Sequence, residues 1–288
     1  AGCPFGKVIK KVHNTPSLKT IIDSNIEIFN IRNIFSENIN NELKKLNNKV
    51  SKNDLTNRKD FRNETTFTID PIDAKDFDDA ISITILKNRE IKVGVHIADV
   101  SHYVKANSEI DKEAFLRASS IYFPGKVIPM LPEKLSNEIC SLRPHEDKLS
   151  FSVVIDFNKD YEVKSSWIGK GIINSNKRFT YEEVESIIVK NEGDFSEEII
   201  ALNNVTSKLK LNRIKRGSID FDRTDIKFKL DKNNEPLSII QAKSLNSQNL
   251  VEELMLLANK IIANKLSILR STIYRVHDLP DLNKIKEL

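Results

Sequence analysis

The run Ile91–Ile97, IKVGVHI, constrains the fold more than any other stretch. It is a continuous β run that fits a central strand with both faces covered. Thr66–Ile69 is β-branched and aromatic, and Ile81–Leu86 alternates, so two strands precede it. Leu149–Phe157 and Val163–Ile173 also read as strands, and Ile226–Leu230 and Pro236–Gln241 as a hairpin around Asp231–Asn234. Helices are predicted at Glu109–Arg117, Glu133–Ile139 (after Pro132), Tyr181–Val189, Ser196–Lys215 and Asn249–Leu269. The fold class is therefore α+β, a mixed β-sheet with surrounding helices, running from about Phe61 to the end. Before it, Asn14–Arg62 is polar, rich in Asn and Lys, and offers few anchors for a core. It reads as a connecting segment with a helix at Asn38–Asn48, preceded by a strand-like run at Phe5–Lys10.

Composition narrows the class. The chain has 288 residues, 39% apolar and 30% charged, enough for one large domain or two ordinary ones. Two cysteines, Cys3 and Cys140, exclude a disulfide scaffold and a multi-cysteine zinc site. No apolar run approaches the ~18 residues of a membrane span, and no signal-peptide pattern opens the chain, so no membrane partner and a cytoplasmic location are expected. Residues 1–66 hold 12 Lys/Arg against 7 Asp/Glu, a net of +5, which leaves −1 for the rest of a chain totalling +4. An anionic partner would be held by local charge or by metal ions, not by a general positive field. The chain opens at Ala1 without Met and ends at Leu288 in a stretch that reads as helix, the pattern expected of a piece of a longer protein.

The segment Thr68–Ala80, TIDPIDAKDFDDA, packs Asp70, Asp73, Asp76, Asp78 and Asp79 within ten positions. Like charges this dense take up protons or bind cations in a folded site. Between two strands, and broken by Pro71, the segment is predicted to bend back and aim several carboxylates at one centre. Carboxylate oxygens suit Mg²⁺ or Mn²⁺. Four of them could hold two such ions ~4 Å apart, the arrangement that steadies both oxygens in phosphodiester cleavage. A solvated acidic turn is the competing reading. An EF-hand fails, because the loop lacks the Gly at its sixth position and the spaced terminal Glu.

Five blocks in order, TIDPIDAKDFDDAISI, VGVHIADVSHYV, IYFPGKVIPMLPEKLSNEICSL, KRGSIDFD and LVEELMLLANK, closely resemble the catalytic (RNB) domain of the ribonuclease R / ribonuclease II family of exoribonucleases. The resemblance runs from about Arg58 to Leu288, and PFGKVIKKV looks like the tail of the cold-shock-type segment that precedes that domain. It divides the chain into residues 1–60, that tail plus a linker, and 61–288, the N-terminal part of the catalytic domain. It implies processive 3′→5′ hydrolysis of single-stranded RNA to nucleoside 5′-monophosphates by a monomer that uses two Mg²⁺ or Mn²⁺ ions. Asp70, Asp76, Asp78 and Asp79 fall on the family's four catalytic and metal-binding aspartates; Asp73 does not. The family's catalytic arginine block and its flanking RNA-binding domains have no counterpart here, so this piece alone is expected to be weakly active or inactive. A non-catalytic RNA-binding module and a cation-binding domain without an RNA role are the rival readings.

Tyr122 and Phe221 match the family's stacking aromatics; without the resemblance each reads as a core residue. Glu252 and Glu253 diverge by ~100° on a helix, so at most one faces the groove, and Glu253 is preferred as the contact to the terminal ribose. Lys126, Arg143, Lys215 and Arg216 are candidates for phosphate contacts. His96, His102 and His145 are not expected to act, Asp99 is expected to cap a turn or support the loop, and Cys140 reads as a buried small apolar residue.

Overall fold

A computed structural model describes residues 17–218, 225–232, 235–242, 244–269, 272–276, 278 and 281. Seven strands form the main sheet: β1 (Lys59–Asp60), β2 (Thr65–Asp70), β3 (Asp79–Ile85), β4 (Ile91–Ala98), β7 (Asp147–Phe157), β8 (Val163–Asn174) and β9 (Lys177–Thr180). Two short strands, β5 (Ile121–Phe123) and β6 (Lys126–Ile128), make a separate hairpin between β4 and β7 in sequence. The main order is β1-β8-β7-β4-β3-β2-β9, with parallel pairs only at the two edges, β1–β8 and β2–β9. The IKVGVHI run is thus the middle strand. Ile91, Val93 and Val95 enter one core, while the opposite face carries buried His96 and, just beyond the run, Ala98 of the other core.

Helices cover both faces. On one lie α5 (Tyr181–Lys190), α6 (Ser196–Lys215) and α7 (Asn246–Leu266), which bury Val184, Ile199, Leu202, Leu250 and Leu254 against the sheet. Thr180 and Glu183 form a capping box that starts α5 where β9 stops. On the other face, α2 (Glu37–Lys45), α4 (Glu109–Arg117) and a π-helical turn at Lys134–Ile139 bury Ile39, Ile110, Leu135 and Ile139. α3 (Val100–Tyr103) follows β4 directly, and β10 (Asp225–Leu230) and β11 (Pro236–Ala242) form the expected hairpin.

One expectation is overturned. The stretch read as a connecting segment is part of the packed fold. α1 (Leu18–Ile28) buries Ile22 and Ile26, and α2 buries Ile39 and Leu43. β1 joins the sheet. Four apolar residues spaced on two short helices suffice to anchor an otherwise polar sequence, and composition averaged over the stretch hides them. Arg58 fastens the junction. It pairs with Asp99 at 2.6 Å, both side chains 2% exposed, and donates to the carbonyls of Ser150 and Gly171 at 3.3 Å. The strand-like run at Phe5–Lys10 lies outside the described residues.

Candidate functional site

Asp70 closes β2 and Asp79 opens β3. The two strands are antiparallel neighbours with Phe67 opposite Ile81, so the loop 71–78 returns the chain to the same end of the sheet, as the sequence predicts. The loop is pinned on several sides. The Phe77 amide donates to Ser141 Oγ at 3.0 Å, the Leu142 amide to the Phe77 carbonyl at 2.8 Å, and the Ala98 amide to the Asp78 carbonyl at 2.9 Å. From β9, Arg178 donates to the Pro71 carbonyl and lies over the Phe77 ring, 5.6 Å from its centroid.

Burial and crowding set the electrostatics. Asp70 is 7% exposed, and its Oδ2 is buried without a hydrogen-bond partner. Burial pushes its pKa up to about 6; the Thr68 hydroxyl and Arg178 pull it back, while Asp79 and Asp76 push it further. Asp78 is exposed by surface area, yet desolvation by the protein around its carboxyl, with Asp76 and Asp79 beside it, also takes it to about 6. Burial raises Asp79 as well. Tyr181, the first residue of α5, stands next to this group: burial, then Asp79 and Asp70, push its hydroxyl up to about 12.

The four aspartates share one field without forming a closed cage. Among the described residues no three His, Cys, Asp or Glu side chains come together closely enough to hold a metal ion. Alternation along β3 puts Asp79 on the face of Ile81 and Ile83, toward the helices α5–α7, whereas Asp76 and Asp78 line a cleft on the other side. The donor set nevertheless fits a hard divalent cation: the oxygens are carboxylate, and the unpartnered Asp70 Oδ2 has a ligand's vacant lone pairs.

The raised values carry a pH prediction. Between the ordinary 3.8 and about 6, the folded state binds protons at Asp70 and Asp78 that the unfolded chain releases, so these groups stabilise the fold as pH falls through that window. A divalent cation has to displace the same protons. Its affinity is therefore expected to drop by roughly tenfold or more between about pH 8 and about pH 5, measurable by titration calorimetry.

The cleft holding Asp76 and Asp78 has a volume of about 970 Å³, and Tyr122 and Lys126 line it too. Its wall is completed by Ser136 and Asn137 of the π-helical turn, a backbone form found often at functional sites. Tyr122 is 71% exposed on β5, so it is not the core aromatic of the bland reading. Lys126 faces Asp23 of α1 at 3.6 Å. Arg143, half-buried, follows Leu142, whose amide holds the acidic loop, and so stands beside that loop.

Other predicted residues are not brought to this cleft. Glu253 is buried and accepts from Arg213 Nε and Nη2 at 2.9 and 2.6 Å. With Arg216 it lines a second cleft of about 550 Å³, against Tyr161–Val163 in the β7–β8 turn. Phe157 and Val163 pair at that end of the sheet, while Asp79, Ile97 and Asp147 mark the opposite end. The packing of α6 on α7 turns Glu253 toward Arg213, and leaves Glu252 exposed at the surface. Lys215 is exposed at the end of α6, and Phe221 lies outside the described residues. His96 is buried between Ser152 and Ser82 with its pKa lowered by burial to about 3, and His102 meets Asp54 at 3.1 Å. His145 is exposed in a turn. Asp99 supports the fold through Arg58, and Cys140 is buried. Two residues went unnoticed in the sequence, Arg178 and Tyr181. The Thr180–Glu183 capping box marks where they lie, but only the β2–β9 pairing, Asp70 opposite Thr180, brings them to the aspartates.

The RNB domain profile matches residues 58–288. The chain belongs to the RNB family. Among RNB relatives it is 35% identical over 290 residues to ribonuclease R of Aquifex aeolicus, spanning 98% of this chain and 41% of that one. It is 42% identical over 229 residues to ribonuclease R of Chlamydia pneumoniae, or 79% and 34% of the two chains. Mycoplasma genitalium RNase R, solved in complex with ribose-methylated single-stranded RNA, superposes with a TM-score of 0.87 at 29% identity, covering 96% of this chain and 44% of that one. The chain thus spans less than half the length of these relatives. The likeness bears out the mixed-sheet RNB fold. Among the described residues no helix is long and apolar enough to cross a membrane.

Proposed function

We propose that this chain carries the acidic part of the active site of an exoribonuclease that degrades single-stranded RNA processively from its 3′ end to nucleoside 5′-monophosphates. The observation that carries this reading is the shared cleft of Asp76, Asp78, Tyr122 and Lys126, with Asp70 and Asp79 near enough to the cleft's aspartates for their charges to interact. A cleft lined by carboxylates, an exposed aromatic and a cation suits a polyanion of stacked bases. Two divalent ions, Mg²⁺ or Mn²⁺, would supply Lewis-acid polarisation of the scissile phosphate and a water activated for attack. Asp70, Asp76, Asp78 and Asp79 would hold and orient these ions, and Asp70, the most enclosed, would fix the position of the group. Tyr122 stacks on a base, and Lys126 and Arg143 meet backbone phosphates. The partner is single-stranded RNA, the protein acts as a monomer, and it works in the cytoplasm.

Stacking on Tyr122 is sequence-independent and contributes ~1–3 kcal/mol per base. Tyr122→Ala is therefore expected to lengthen the shortest end-product of a single-stranded RNA digest and to weaken RNA binding roughly tenfold, with cleavage retained. Denaturing gels of a labelled oligonucleotide give the ladder. An unchanged ladder would remove Tyr122 from the RNA path.

A further inference from the structure

The β5–β6 hairpin carries Tyr122 and Lys126, yet it pairs with no strand of the main sheet. Its turn, Phe123-Pro124-Gly125-Lys126, is self-contained: Pro124 sets the first corner and Gly125 takes a φ of +70°, which a side chain would resist. A two-stranded hairpin of this size does not hold its own position in water. It needs an anchor.

That anchor is α1. Ile22 and Ile26 of α1 form a small core with Ile128 of β6, and Leu18, Ile31, Ile121 and Phe123 pack around it. This core is separate from the two that flank the main sheet. Asp23, on the same helix, faces Lys126 at 3.6 Å. The pair is partly exposed, so it is the weaker of the two attachments. A cavity of about 250 Å³ remains between the first turn of α1 and Pro124–Lys126, room for the hairpin tip to shift. The first turn is itself held, because the Leu18 amide donates to Glu235 at 3.3 Å, in the turn between β10 and β11. Residues 18–28 precede the stretch matched by the RNB profile, which begins at 58.

We propose that α1 is the positioning element of the RNA-gripping hairpin: it sets Tyr122 over the carboxylate cleft, so that grip on RNA depends on a helix upstream of the family domain. The proposal rests on the reading of Tyr122 as a stacking platform. Ile22, Ile26 and Asp23 are positioning residues, and none of them touches the cleft.

Three variants of the full-length protein that contains this chain test it: Ile26→Ala, the conservative Ile26→Val, and the surface change Asp23→Asn, which puts no core at risk. Hydrogen exchange reads the hairpin directly. In Ile26→Ala, amides of 121–128 are expected to exchange roughly tenfold faster while those of β4 keep their wild-type rates, with Ile26→Val close to wild type. KM for a long single-stranded RNA is expected to rise roughly tenfold and the shortest product to lengthen, with kcat on oligonucleotides too short to reach Tyr122 unchanged. Asp23→Asn is expected to speed hairpin exchange in the same direction by less. Wild-type hairpin exchange and wild-type KM in Ile26→Ala, alongside an altered ladder in Tyr122→Ala, would overturn the role of α1 and leave the RNA reading standing. An unaltered ladder in Tyr122→Ala, with faster hairpin exchange in Ile26→Ala, would instead overturn the RNA reading and the functional half of the proposal with it.

Discussion

Asp78→Asn, made in a full-length protein carrying this chain, is expected to lower RNA hydrolysis by about 10³-fold or more, equivalent to ~4 kcal/mol of transition-state stabilisation. The amide keeps the shape and removes the charge that a divalent ion needs. The same substitution should make the cation-free protein more stable. Asp78 sits with Asp76 and Asp79 beside it, and its pKa is raised to about 6, so at neutral pH its charge works against the fold. The thermal midpoint of the variant without added divalent ions is expected to exceed that of the parent at about pH 8. The two should converge near about pH 4, where the parent carboxyl is protonated. Lost activity with gained stability is the signature of a charge retained for function. Activity within about tenfold of the parent would take Asp78 out of the chemistry.

Arg58→Ala is expected to cost about 3–5 kcal/mol in urea unfolding, since it strands the Asp99 carboxylate in a site 2% exposed to water. It also deprives the carbonyls of Asp54, Ser150 and Gly171 of a donor. Replacing both partners, as in Arg58→Met with Asp99→Leu, should recover part of the loss, because the penalty arises from the unpaired charge. In the parent, burial pushes Asp99 up, but its bonds to Arg58 and Ser101 outweigh this and hold it below the ordinary 3.8. Its contribution is complete above that value and fades as pH falls through the lower folded one. A loss of less than about 1 kcal/mol in Arg58→Ala would show that the junction is held by packing alone.

The strands and helices of the main fold were legible because their signals are local. The inner strand at Ile91–Ile97 and the helices at Glu109–Arg117 and Ser196–Lys215 needed only periodicity and texture, and their bounds match the sequence reading closely. The acidic bend was legible because five aspartates and a proline between two strands leave few alternatives. What stayed hidden depends on distant partners. α1 is anchored by Ile22 and Ile26, but their burial comes from Ile128, more than a hundred positions away. Arg178 and Tyr181 reach the aspartates only through a parallel pairing at the sheet edge. Glu253 carries the right chemistry, yet Arg213 on the neighbouring helix has claimed it. Local chemistry announces itself in sequence, whereas the choice among competing long-range partners does not.

The edge pairing of β2 with β9 imposes an order of assembly. Arg178 meets Pro71, 107 positions earlier in the chain, and Asp70 meets Thr180. A chain emerging from the ribosome therefore presents its acidic bend long before the strand that flanks it exists. Until β9 docks, Asp70 remains hydrated, its pKa stays near that of a free carboxylate, and Tyr181 is absent from its side. Closing so long a loop is slow, and it comes late. Under the proposed function, a nascent polypeptide of this kind would thus stay chemically idle beside the messenger that encodes it until the acidic centre is complete.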